Sequence, residues 1–438
     1  MNNPEFKRNL WLSFSSHGLI AMPALLALSL IATALASEGN NKMESLHSVA
    51  TALFIFVVWL WGMRNANASI VDEIRDKTWD QQRMSALSPW TMTWGKLFGA
   101  TAFNWYGGLM CLAVIAGAGL AAGLPDVPAT LITLCAAGIT LHAGVIAINL
   151  HACQFESQFV QRGGMGWLGI IFALILWSGF ASYETQPFRW WGREFGHALF
   201  LLDSALLFAA CAIFAAWRVV SNALQVRTLP WAWPAFAVLM SVYLAGFAYQ
   251  GNLLTLWETG LMVTLVMSYA ALFTETNSLL RWNKLRLLQA RQQWRGWLEH
   301  LPMWPGTVAL CLLFALLLAA ASGGMPETIT ALTPLQGPQA LTLALMLVRD
   351  AGILLFFSFA QRARRAVGIT LLYLLVLDML LPFLANVAGI EALRYFLQPL
   401  DFAVISWNSP LIMSLHALIA VGLVAWRLKQ STQATDKP

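Results

Sequence analysis

Runs of about twenty apolar residues, repeated along almost the whole chain, constrain this sequence more than any other feature. A bilayer's hydrocarbon core is about 30 Å thick, which about 20 helical residues cross. About twelve runs approach that length: 16–36, 47–63, 97–121, 129–151, 165–182, 197–217, 231–249, 254–274, 306–322, 340–360, 367–386 and 408–427. Lipid offers no water to satisfy backbone N–H and C=O groups, so such runs are expected to be helices. Only 11% of the 438 residues are charged, against about a quarter in soluble domains. The expected fold class is an all-α polytopic membrane protein with about twelve transmembrane helices.

Orientation follows from Lys and Arg placement, because basic residues are retained on the cytoplasmic side. With the N-terminus inside, the inner segments hold 21 of the 26 basic residues. Lys42, Arg189, Arg193 and Arg394 fall in outer loops, and Arg349 falls within a run. Both termini are therefore expected in the cytoplasm. The net charge of +5 is a topology signal, and nucleic acid is not an expected partner, since the basic residues are split among short loops. Lys7 and Arg8 precede an apolar run ending Ala34-Leu35-Ala36, which is long for a signal sequence and reads as an uncleaved first span. Before it, Phe6, Leu10, Trp11 and Phe14 share one helical face, which suits a helix lying in the inner interface against membrane lipid. The five cysteines show no Cys-x-x-Cys pair, and His142 and His151 are nine apart, so neither set suggests a metal site.

Residues 72–96, DEIRDKTWDQQRMSALSPWTMTWGK, form a charged island between two apolar runs. Glu73, Thr78, Trp79, Asp80, Pro89, Gly95 and Lys96 are spaced as in the cytoplasmic coupling segment of ABC-2 type transporter permeases, which this stretch resembles. Lys77 stands where that family usually has glycine. The resemblance implies the membrane subunit of a bacterial ABC exporter in the inner membrane, with 64–96 docking on a separate ABC ATPase subunit, expected in two copies. Within the segment Glu73, Thr78, Trp79, Asp80, Met84, Leu87, Pro89 and Trp90 are the candidate docking residues. Charged groups would set register, and the tryptophans, Met84 and Leu87 would act as apolar anchors.

Two halves share one plan. Residues 1–220 carry six expected spans and the coupling segment 64–96. Residues 231–438 carry six more and a basic loop at 275–305. Phe159-Val160-Gln161-Arg162 and Phe359-Ala360-Gln361-Arg362 occupy corresponding short loops. Six spans return the chain to the same side, so the repeat would be parallel, a pseudo-dimer within one chain. If the halves do not pair in this way, a homodimer would supply the second set of spans.

ATP chemistry is not expected on this chain. A phosphate loop needs Gly-x-x-x-x-Gly-Lys followed by Ser or Thr. The sole Gly-Lys, Gly95-Lys96, is followed by Leu97, and Trp90 stands where the first glycine would be. No cofactor is expected here, and ATP and Mg belong on the partner. Ionisable residues within spans are costly and often functional. Arg349, Asp350 and Asp378 are the candidates, with Arg349 and Asp378 at matching depth as a pair and Asp350 facing elsewhere. An ion-gradient-driven secondary transporter is the rival reading of these groups. A membrane assembly factor that transports nothing is a third.

Overall fold

The computed structural model describes residues 3–155 and 187–435, except for 38, 86, 227, 250, 322–334, 361–364 and 401–405. The expected span at 165–182, the tetrapeptide at 159–162, and Gln361 and Arg362 lie outside the described residues. Among the described residues, ten helices are long and apolar enough to cross a membrane. The chain is therefore an all-α polytopic membrane protein. It divides into two compact units, Met1–Phe188 with Glu194–Thr228, and Arg189–Arg193 with Leu229–Pro438. Two three-residue strands, β1 (Phe188–Trp190) and β2 (Arg193–Phe195), interrupt the helical pattern.

The first unit opens with α1 (Pro4–Ser13), capped by Asn3, whose side chain accepts the Phe6 N–H. Next come α2 (Ser16–Ala36) and α3 (Lys42–Arg75), the latter a continuous helix of 34 residues. At about 1.5 Å per residue α3 outruns the hydrocarbon core by about 20 Å, so its polar C-terminal end stands clear of the lipid. A π-helical turn at Ile55–Trp61 widens α3 and leaves carbonyls needing new donors. Asn104 Nδ2 supplies Val57 O at 2.9 Å, and His142 Nε2 supplies Val58 O at 2.7 Å. His142 thus completes the backbone of a neighbouring helix.

Two short helices follow, α4 (Trp79–Arg83) and α5 (Pro89–Trp94), then a π turn at Gly95–Gly99. The unit closes with α6 (Ala102–Ala121), α7 (Val127–Phe155) and α8 (His197–Ala223). Helix α3 packs on α2, α6 and α7, and α7 packs on α8. The core between them holds Phe54, Val58, Trp59, Cys111, Ile115, Leu134 and Leu141.

The second unit contains α9 (Ala232–Ala248) and α10 (Leu254–Thr274), then two short helices, α11 (Leu279–Ala290) and α12 (Trp294–His300). After these come α13 (Trp304–Ala321), α14 (Gly337–Ser358), α15 (Ala366–Val387), α16 (Glu391–Leu397) and α17 (Asn408–Thr435). Helix α9 is apolar but only 17 residues long. Helix α10 packs on α9 and α13, and α14 packs on α13, α15 and α17. Lipid gives helices no hydrophobic reason to associate, so small residues that let backbones approach matter. A Cβ on Gly352 of α14 would lie 2.9 Å from Ala420 Cβ of α17, and one on Gly260 of α10 would meet the Phe314 ring of α13 at 2.7 Å.

Candidate functional site

The segment from α3 to α6 is where sequence and geometry converge. Helix α3 ends in a left-handed residue, Lys77, at φ +58°. The Thr78 N–H bonds Glu73 O at 2.9 Å, and the Lys77 N–H bonds Ile74 O at 3.2 Å. These are the paired bonds of a helix terminus that glycine usually closes. The departure from the family's glycine therefore leaves the turn intact, with a lysine held in glycine's conformation. Ser88 caps α5 by accepting the Thr91 N–H, and Pro89 occupies its first turn.

The candidate docking residues separate into two sets. Asp80 is 77% exposed at its side chain, Met84 is 81% exposed and Trp90 47%. Asp80 carries only a 3.4 Å pair with Arg83. Thr78, Leu87 and Pro89 are half-buried. Trp79 points inward at 9% exposure, among Ala66, Ile70, Met92, Leu97 and Leu150. Glu73 also turns inward. Its carboxylate bonds Lys96 Nζ through one oxygen and Arg8 through the other. An outward anchor role for Trp79 and a direct contact from Glu73 do not fit these positions.

Lys96 is fully buried, with Glu73 on one side, Glu5 at 3.2 Å on another, and the Trp79 ring 5.4 Å away. Arg8 also pairs with Glu5 at 2.9 Å. Burial pulls the Arg8 guanidinium down, but the hydrogen bond and charge of Glu73 and the charge of Glu5 outweigh it, and the net shift is upward. Two carboxylates and two cations thus balance in one knot that ties α1, the end of α3 and the start of α6's approach together.

Two glycines permit this knot. A Cβ on Gly95 would lie 2.6 Å from the Glu5 side chain and 2.9 Å from Phe6 N. One on Gly99 would meet Asn9 Cβ at 2.9 Å. The stripe Glu5, Asn9 and Ser13 lies along this glycine groove, and Asn9 Nδ2 donates to Glu5 O and Oε1, each at 2.9 Å. Trp11 and Leu12 on the other side of α1 stay exposed. Helix α1 accordingly faces its polar stripe inward and leaves Trp11 and Leu12 outward, while Phe6, Leu10 and Phe14 are half-buried. The apolar face of α1 was legible in the sequence. The binding role of Glu5, Arg8 and Asn9 was missed, although their spacing against Gly95-x-x-x-Gly99 was the available signal.

Beside the knot a groove of about 760 Å³ runs between α1, α2 and the C-terminal part of α3. Arg8, Asp72 and Asp76 line its polar part, and Met22, Leu25 and Trp61 its apolar part.

The loop of the second unit is held by another buried glutamate. Glu275 accepts from Arg281 Nη1 at 2.7 Å and from the Met303 N–H at 2.8 Å. Arg281 also donates to His300 O at 2.8 Å and Leu301 O at 3.1 Å. Burial pushes the Glu275 carboxyl up, against the opposing pull of Arg281 and the Met303 N–H.

Within the spans of that unit, Arg349 is 2% exposed and bonds Asp378 Oδ2 at 2.7 Å. It also bonds Asp350 Oδ1, from Nε at 2.8 Å and from Nη2 at 2.7 Å. Asp350 therefore does not face elsewhere: it shares the guanidinium, and Tyr269 Oη donates to its Oδ2 at 2.6 Å. Adjacent residues on a helix do not usually face each other, so sequence spacing pointed away from a bond between Arg349 and its neighbour Asp350. Among the described residues no group of three or more His, Cys, Asp or Glu side chains is placed to hold a metal ion.

No protein-family model, curated protein or solved structure matches this chain.

Proposed function

We propose that this chain is the permease of an ATP-driven exporter of the ABC-2 type, coupled to a separate ATPase subunit that carries ATP and Mg. The observation that carries the reading is the exposed surface of Asp80, Met84 and Trp90, presented by a segment whose inward side is locked to the spans. Movement of such a surface is transmitted to α3 and α6 because Glu73, Lys96 and Trp79 leave little slack between them. The resemblance of residues 72–96 to the family's coupling segment supports the same role.

In this reading the chain has twelve spans, which adds α9 and residues 165–182 to the ten long helices, and sits in a bacterial inner membrane with both termini inside. Parallel halves are supported by matching partners within each unit. The second span of each packs on the first and third, α3 on α2 and α6, α10 on α9 and α13. The fourth packs on the sixth, α7 on α8 and α14 on α17. Each unit also ties the inner end of its second span to the approach of its third through a buried glutamate, Glu73 or Glu275. One such chain would bind two ATPase copies.

The cargo is apolar or amphipathic and enters from the cytoplasm or the inner leaflet. The half-polar, half-apolar groove at that level suits such a molecule. Intramembrane carboxylates favour the second reading, an ion-driven transporter. Reconstitution with the ATPase in sealed vesicles separates the two. The proposal expects transport that requires ATP and survives collapse of the proton gradient, and the reverse result rejects it.

A further inference from the structure

The charges of the intramembrane cluster do not balance. Arg349 supplies one positive charge, and Asp350 and Asp378, both bonded to it, bring two negative ones. Leaving an uncompensated charge among apolar spans is costly, and a carboxyl group there takes up a proton instead. The hydrogen bonds distinguish the two acids. Asp350 has donors on both oxygens, Arg349 on Oδ1 and Tyr269 on Oδ2. Among the described residues Asp378 has a donor on Oδ2 alone, and its side chain is 19% exposed. It also sits in a π-helical turn, Val376–Leu380, inside α15, and such turns concentrate at functional sites. Two buried nitrogens nearby, Arg349 Nη1 and His416 Nδ1, have no partner.

We infer that the cluster is a proton-binding site, in which the Asp350–Asp378 pair, sharing one guanidinium, holds one exchangeable proton. The carboxylate takes the proton from hydronium, forming an O–H bond and releasing water, and returns it the same way. Three elements bring titratable or charged groups to the cluster's helix: Tyr269 of α10 bonds Asp350, Asp378 of α15 bonds Arg349, and on α17 His416 lies within electrostatic reach of Arg349 and Asp378 while Arg427 donates to Phe356 O. On α13 the titratable group is Cys311, which is buried. Imidazolium at His416 would balance the cluster without a protonated acid, and this is the competing arrangement. The inference stands whether transport is driven by ATP or by an ion gradient.

Infrared difference spectroscopy of the full chain in nanodiscs tests it. At neutral pH the wild type is expected to show a protonated-carboxyl C=O band that shifts in heavy water and disappears as pH rises. Asp378→Asn should abolish the band. Asp350→Asn should abolish it too, because Asp378 and Arg349 then balance. Asp378→Glu, which keeps the charge, should retain it at a shifted frequency. Absence of the band in the wild type overturns the inference, since it leaves the charge to His416 or to water. Persistence of the band in either Asn variant overturns it as well. The wild-type spectrum and the Glu variant decide the matter even if an Asn variant does not fold.

Discussion

Lys96 is the residue on which the knot joining α1, α3 and the approach to α6 turns. It is fully buried and held by two carboxylates, Glu5 and Glu73. Removing one partner of a buried ion pair leaves the other uncompensated and costs about 3–5 kcal/mol, whereas replacing the pair by apolar groups is often neutral. Lys96→Met is therefore expected to lower stability in detergent by about that amount, and Glu73→Gln by less, because Glu5 still faces the ammonium. The double variant Glu73→Met with Lys96→Met should recover part of the loss. Thermal unfolding measures all three, and equal losses for Lys96→Met and an exposed-pair variant such as Asp72→Asn would refute the knot. Lys77 makes the opposite prediction. A left-handed conformation costs an ordinary residue about 1–2 kcal/mol, so Lys77→Gly should stabilise the chain by about 1 kcal/mol. A loss of stability on that substitution would mean that the turn differs from the one described.

At the scale of elements, α1 is the piece whose role the sequence disclosed least. Its apolar residues announced an interfacial helix, because a helix in lipid headgroups must display them. What it grips was hidden, since its partners Glu73, Gly95 and Lys96 lie more than sixty residues away. A polar stripe on a short helix reads equally well as solvated surface. Gly95→Val places branched carbon against the Phe6 backbone, which cannot yield as a side chain would. Helix α1 should then lift off, and trypsin should cut after Lys7 and Arg8 markedly faster than in the wild type. An unchanged cleavage rate would show that the glycine groove does not hold α1. The spans themselves were far more legible, because length and apolarity are imposed by bilayer thickness. Their ends were less so: α3 runs on to Arg75 as one helix, past the expected end at 63, because polar residues continue a helix once it has left lipid.

For the whole molecule, helix partners recur in order within the two units, α3 packing on α2 and α6 and α10 on α9 and α13. The loop pattern behind the proposed two halves was visible in the sequence as an alternation of long and short loops. The sharing of Arg349 between neighbouring and distant acids was not, since it depends on which helix faces meet. The role proposed for the exposed surface of α4 and α5 is to bind an ATPase. Apolar anchors at interfaces contribute about 2 kcal/mol each, or about 30-fold in affinity. The most direct measurement is therefore the affinity of the ATPase for the purified full-length chain carrying Met84→Ala and Trp90→Ala, compared with the wild type at matched thermal stability. The account predicts a loss of at least about 30-fold, with the unfolding temperature unchanged because neither side chain is buried. Unaltered affinity in a stably folded variant would contradict it.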